Sequence, residues 1–153
     1  MVVHYYADDS VTPVDLADFA INNGHRTYSN GTAWSFFGDV ADEYDLDFLQ
    51  TASSSEALEW MKTQEDPLVV CAMGRGLWTN GGHFILLWDV QDGVARINDP
   101  FSTADYRTTN YYSTVASQCY QFFCFDRPEE KKVYQTIRPA LLFNSNNLSF
   151  FII

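Results

Sequence analysis

Two residues of this chain have the types and spacing of an acid–base pair. His83 opens the apolar run His83-Phe84-Ile85-Leu86-Leu87-Trp88, directly behind Gly81-Gly82. Asp99 closes the next segment, sixteen residues on, ahead of Pro100. An imidazole titrates near neutrality and can take and return a proton. A carboxylate on its second ring nitrogen fixes the tautomer. Together they form the base and orienter of a nucleophilic site. The nucleophile itself is not evident among the 153 residues.

The elements that must position the pair are strands. His83 to Val90 reads as a buried strand, Asp92-Gly93 as a hairpin turn, and Val94 to Asn98 as the returning strand. Pro100 then ends the ladder. A two-residue turn at Asp92-Gly93 pairs Val90 with Ala95 and sets Asp99 opposite Leu86, on the wrong face for His83. The pairing therefore requires an irregularity between Asp89 and Asn98, such as a one-residue bulge. Gly81 and Gly82 would let the backbone turn tightly and leave the ring reachable from a cleft. Trp78, in the loop leading to His83, either walls that cleft or covers the sheet, so Trp78 and Gly82 are the candidate substrate-binding residues.

The first half of the chain is helical in pattern. Val2 to Tyr6 reads as the end of an element. Thr12-Pro13-Val14-Asp15 starts a helix with a cap, a first-turn proline and an acid at the positive end, and Gly24 closes it. A second helix follows Gly31-Thr32, with Phe36, Phe37, Val40 and Tyr44 on one face. Leu46 to Thr51 is a short strand. Ser53 and Glu56 form a capping-box pattern that opens a third helix, with Ala57, Leu58 and Met61 inward. After Pro67, Leu68 to Met73 is a compact apolar strand, and Ser113 to Phe123 fits either a helix or a strand. Helices first and an antiparallel sheet second make an α+β domain. Its expected extent is 1–126, with 127–153 a tail that matches no period.

Composition narrows the function classes. Apolar residues are 46% and aromatics 16%, as in a packed domain, and the formal net charge is -11. That charge disfavours nucleic acid and anionic lipid as partners, and no apolar run approaches the roughly 20 residues of a membrane span. The N-terminus lacks the basic and apolar segments of a signal peptide. Three cysteines without a CxxC spacing indicate neither a disulfide framework nor a zinc site, so no metal or cofactor is expected. Asp39, Asp42, Glu43, Asp45 and Asp47 lack the spacing of a calcium loop and read as a solvated face. Tyr106, Tyr111 and Tyr112 read as surface packing.

Residues 12–125, about three-quarters of the chain, resemble the C39-like peptidase family of papain-like cysteine proteases. The resemblance runs through Val11-Thr12-Pro13-Val14-Asp15-Leu16-Ala17, Gly31-Thr32-Ala33-Trp34, Gly82-His83-Phe84-Ile85-Leu86-Leu87 and Ile97-Asn98-Asp99-Pro100-Phe101. It implies a papain-like fold, a helical front packed on an antiparallel sheet, with a peptide or protein substrate. It implies His83 as general base and Asp99 as orienting acid. The family's cysteine opens a helix behind an oxyanion-hole glutamine, and Met1 to Tyr6 looks like the second half of that helix. On this reading the cysteine and glutamine precede Met1, and His4 is a helix-surface residue. The chain as given is then an inactive peptidase domain, whose open cleft wall would favour marginal stability or self-association.

No internal cysteine is an obvious substitute. Cys71 lies in an apolar run, expected about three positions from the level of His83 and on the other face. Cys119 and Cys124 stand among Tyr120, Phe122, Phe123 and Phe125, where packing is the expectation. A non-catalytic module that holds a peptide or protein in the same cleft is the rival reading, and acyl transfer on the same scaffold is a third. Substrate and compartment are not encoded in any motif.

Overall fold

The structure, a computed structural model, describes residues 1–27 and 31–128; most of the 127–153 tail lies outside the described residues. The chain begins with a short helix, α1 (Val2–Tyr6), followed by α2 (Pro13–Asn22). Both halves of the capping box form at α2. The Thr12 hydroxyl accepts the Asp15 N–H and the Asp15 carboxylate accepts the Thr12 N–H. Gly24, at φ +76°, ends the helix in the conformation a side chain would resist. A two-stranded ribbon follows, β1 (Arg26–Thr27) with β2 (Gly31–Thr32), and then α3 (Ser35–Glu43).

Next come β3 (Asp47–Thr51) and α4 (Ser54–Thr63). Ser53 caps α4 by accepting the Glu56 N–H, while the Glu56 carboxylate accepts the Thr51 hydroxyl. The strand-rich part runs β4 (Leu68–Met73), β5 (His83–Gln91) and β6 (Val94–Asn98). Asp92 and Gly93, at φ 52° and 78°, make the tight turn between the last two. A one-turn helix α5 (Asp105–Thr108), an edge strand β7 (Thr109–Tyr111), α6 (Tyr112–Gln118) and β8 (Cys119–Asp126) complete the described chain. The segment Ser113 to Phe123 is thus helix and strand in succession. Tyr112 is no surface residue. It is buried, and its hydroxyl donates to the Ser54 carbonyl at 2.6 Å.

Six strands form one antiparallel sheet in the order β3-β8-β4-β5-β6-β7. The last strand inserts between β3 and β4, which makes β4 a central strand buried along its whole length. That explains its unbroken apolar sequence. Leu68, Val70 and Ala72 face a core shared with Val3, Phe36, Phe37 and Val40 of α1 and α3. Val69, Cys71 and Met73 face a second core with Ala57 of α4 and Val115 of α6. The domain is α+β as expected from the order of elements, with helices on both faces of the sheet.

Aromatic packing locks the front helices to the sheet. Phe37 of α3 stacks on Phe123 of β8 at 4.1 Å between ring centroids, and Phe123 is wholly buried. The short α1 is pinned by its tyrosines. The Tyr5 hydroxyl donates to the Asp66 carboxylate at 2.6 Å, and the Tyr6 hydroxyl donates to the Asp66 carbonyl. Arg127 lies over both rings, 5.2 and 5.5 Å from their centroids.

Candidate functional site

The required irregularity exists, one residue upstream of the interval expected for it. Val90 pairs with Ala95 and Asp89 with Arg96, but Leu87 pairs with Ile97 and Leu86 with Asn98. Trp88 is therefore the extra residue on β5, a one-residue bulge. With Leu86 opposite Asn98, the next position on β6, Asp99, falls level with Ile85. Ile85 and His83 are two apart on one strand and share a face. The bulge thus converts a wrong-face pair into a same-face pair.

The two side chains meet. His83 Nε2 lies 2.8 Å from Asp99 Oδ1, with the Asp99 side chain fully buried and the His83 side chain 20% exposed. Oδ1 also accepts the Phe101 N–H at 2.9 Å, and Oδ2 accepts Arg107 Nε at 2.5 Å. Burial alone would raise the Asp99 carboxyl. The donors His83, Phe101 N–H and Arg107 outweigh that effect and hold it below the usual carboxylate range. Asp99 is thus an ionised acceptor at neutral pH. Because Nε2 serves Asp99, Nδ1 is the ring nitrogen left for a reacting proton.

Arg107 is the residue that sequence reasoning missed. It sits on the single turn α5, is 6% exposed, and uses its whole guanidinium. Besides Asp99 it donates from Nη1 to the Leu77 carbonyl at 3.3 Å and from Nη2 to the Trp78 carbonyl at 2.8 Å. The Trp78 indole N–H donates back to the Arg107 carbonyl at 3.3 Å. Trp78 is 3% exposed and packs into the core beside α6, so it covers the sheet. The only sequence signal for Arg107 was a cation eight residues beyond an expected catalytic acid.

The approach to His83 runs over the loop from Gly74 to Gly82. Thr79 organises its end: the Thr79 hydroxyl accepts the Gly81 N–H and donates to the Gly82 carbonyl. A side chain at Gly81 or Gly82 would meet nothing within 4 Å, and neither has positive φ. These glycines leave open space before His83 rather than satisfying a strained turn. Phe101, 80% exposed, stands edge-on to the His83 ring at 6.4 Å, and the Arg107 guanidinium lies 5.3 Å from the Phe101 ring centroid.

Cys71 differs from expectation in position. Met73 pairs with His83 and Cys71 with Ile85, so Cys71 is two positions from the His83 level and on the same face. It is nevertheless fully buried. Burial, with Cys119 hydrogen-bonded beside it, pushes its thiol well up. Burial pushes Cys124 up to about 12. Cys119 is half-buried and pairs with Met73, one strand further from His83 than β4 itself. Its thiol donates to the Gln121 carbonyl. None of the three touches His83.

A second histidine cluster lies elsewhere. His25, buried, places Nδ1 3.0 Å from Ser35 Oγ and Nε2 3.0 Å from Asp39 Oδ2. Ser35 and Asp39 are one turn apart on α3, so His25 clamps the ribbon to that helix. Among the described residues, no group of three or more His, Cys, Asp or Glu is disposed to hold a metal. No helix among them is long and apolar enough to cross a membrane.

No family model matches the chain, and no curated protein matches it. Among solved structures, it is similar to the peptidase domain of Streptococcus ComA, described as a bi-functional ABC transporter involved in a quorum sensing pathway. The likeness has a TM-score of 0.49 and 14% identity, over 74% of this chain and 88% of that one.

Proposed function

We propose that residues 1–126 are a papain-like cysteine peptidase domain in which His83 is the general base and Asp99 its orienting acid. The observation that carries the reading is the contact of His83 Nε2 with a buried, triply held carboxylate, which leaves Nδ1 as the other ring nitrogen. In thiol-dependent peptide cleavage, such an imidazole takes the proton of a cysteine and returns it to the leaving amine. The C39-like motifs around Gly82-His83 and Asn98-Asp99-Pro100 support the same assignment.

None of Cys71, Cys119 and Cys124 meets the geometric requirement for the nucleophile, hydrogen-bond reach of the base. On this reading the 153-residue chain by itself hydrolyses no peptide bond. The test is incubation with a mixed peptide substrate, read by mass spectrometry, alongside labelling by a cysteine-directed inhibitor. The reading expects neither cleavage nor rapid labelling. Cleavage or a labelling burst abolished by His83→Ala would overturn the inactivity.

A second reading has its own observation. Phe101 is almost fully exposed beside His83, and an apolar ring of that kind at the mouth of a polar site suits peptide binding without catalysis. Titration of the same peptides separates the two. Saturable binding weakened by Phe101→Ser but untouched by His83→Ala favours the binding module. Dependence on His83 favours the peptidase site.

A further inference from the structure

We infer that Arg107 is a positioning residue that sets the proton affinity of His83 by sharing the Asp99 carboxylate with it. The inference rests on the assignment of His83 as base, but its test reads the imidazole directly and needs no peptidase activity.

The geometry is a chain of three charged groups. His83 Nε2 lies against one oxygen of Asp99 and Arg107 Nε against the other. The carboxylate between them is wholly buried, so it can be compensated only by these neighbours. An anion shared with a permanent cation attracts an imidazolium less than a free anion does. A lone buried Asp99 would stabilise the protonated ring more strongly. Arg107 removes much of that bias while keeping Asp99 as a hydrogen-bond acceptor. The His83 ring is then oriented by an acceptor whose charge it shares with a permanent cation. The groups facing it are Asp99 from the end of β6, the Arg107 guanidinium from α5 and the Phe101 ring beyond Pro100. Tyr106, next to Arg107, adds a phenol hydrogen-bonded to the guanidinium.

The same guanidinium holds the Leu77 and Trp78 carbonyls. The loop that leads into His83 and the charge balance of its ring therefore depend on one side chain. A lysine in its place would keep the charge but could not reach three acceptors in one plane.

The experiment is a pH titration of the His83 ring by NMR in the 153-residue chain, with exposed His4 as internal reference. Arg107→Met is expected to raise the His83 pKa by about one unit, a roughly tenfold change in its dissociation constant. Arg107→Lys is expected to keep the value near that of the unmodified protein. An unchanged His83 pKa in folded Arg107→Met overturns the inference, and so does an Arg107→Lys value that matches Arg107→Met. Should Arg107→Met fail to fold, Arg107→Gln, which keeps amide donors near the Asp99 carboxylate without the charge, is titrated in its place. It is expected to titrate above the unmodified protein, and an unchanged value in the folded variant overturns the inference. Failure of the peptidase reading would leave these titrations unaffected, so the two can be told apart.

Discussion

Trp88 decides where Asp99 points. The register of β5 against β6 steps by one at Trp88, and this single step moves Asp99 from the level of Leu86 to that of Ile85, on the face His83 occupies. The site therefore depends on backbone geometry some way from either functional side chain. A bulge re-aims every residue beyond it, which is why such irregularities accompany functional positions.

Substitution and deletion at Trp88 should both leave the His83–Asp99 pair in place, because Trp88 is the unpaired residue of the bulge. Trp88 is 45% exposed, so Trp88→Thr should change stability by no more than about 1 kcal/mol and leave the His83 imidazole signals in place. Deletion of the residue makes Asp89–Arg96, Leu87–Ile97 and Leu86–Asn98 consecutive pairs of a regular ladder, so Asp99 should stay level with Ile85 and keep its contact with His83. Loss of the His83–Asp99 contact from the imidazole spectrum on deletion would count against Trp88 as the unpaired residue.

The Asp99–Arg107 pair should show the asymmetry of buried ion pairs. Arg107→Met alone leaves a buried carboxylate short of a donor and should cost about 3–5 kcal/mol in urea unfolding. Asp99→Asn/Arg107→Met leaves no unpaired charge and should cost clearly less. A double variant that is less stable than Arg107→Met would argue against this view of the site.

Acid unfolding should carry the signature of Asp99. Its carboxyl is held below the usual range in the folded protein. A group depressed on folding adds stability that is present above its unfolded pKa, about 3.9, and is lost as pH falls through the folded value. Below about pH 4 the unmodified protein should lose stability more steeply than Asp99→Asn/Arg107→Met. Parallel acid curves would show that Asp99 is not depressed in the folded protein.

Thiol reactivity should follow burial. Cys71 and Cys124 are fully buried with raised thiols, whereas Cys119 is partly accessible. A thiol reagent at neutral pH should modify Cys119 first and slowly, and reach the other two only on unfolding. Rapid modification of Cys71 in the native protein would contradict the packing described for β4.

Much of this arrangement was legible in the sequence, and the parts that were not have physical causes. The caps of α2 and α4 could be read because capping is local chemistry within three or four residues. The Asp92-Gly93 turn could be read for the same reason. The insertion of β8 between β3 and β4 could not, since strand order depends on contacts across more than forty residues. The need for a bulge followed from parity alone, but its position did not, because Trp88 carries no glycine or proline to mark it. Arg107 escaped notice and Tyr112 read as a surface residue because each buries a polar tip against a distant backbone carbonyl, which no periodicity records.

The central claim is that Asp99 holds His83 by Nε2 and leaves Nδ1 as the working nitrogen. The most direct measurement is a long-range proton–nitrogen correlation spectrum of the His83 ring above its pKa. The account predicts a proton on Nε2, shared with Asp99, a bare Nδ1, and loss of that preference in Asp99→Ala. A proton resting on Nδ1, or a tautomer indifferent to Asp99, would contradict it.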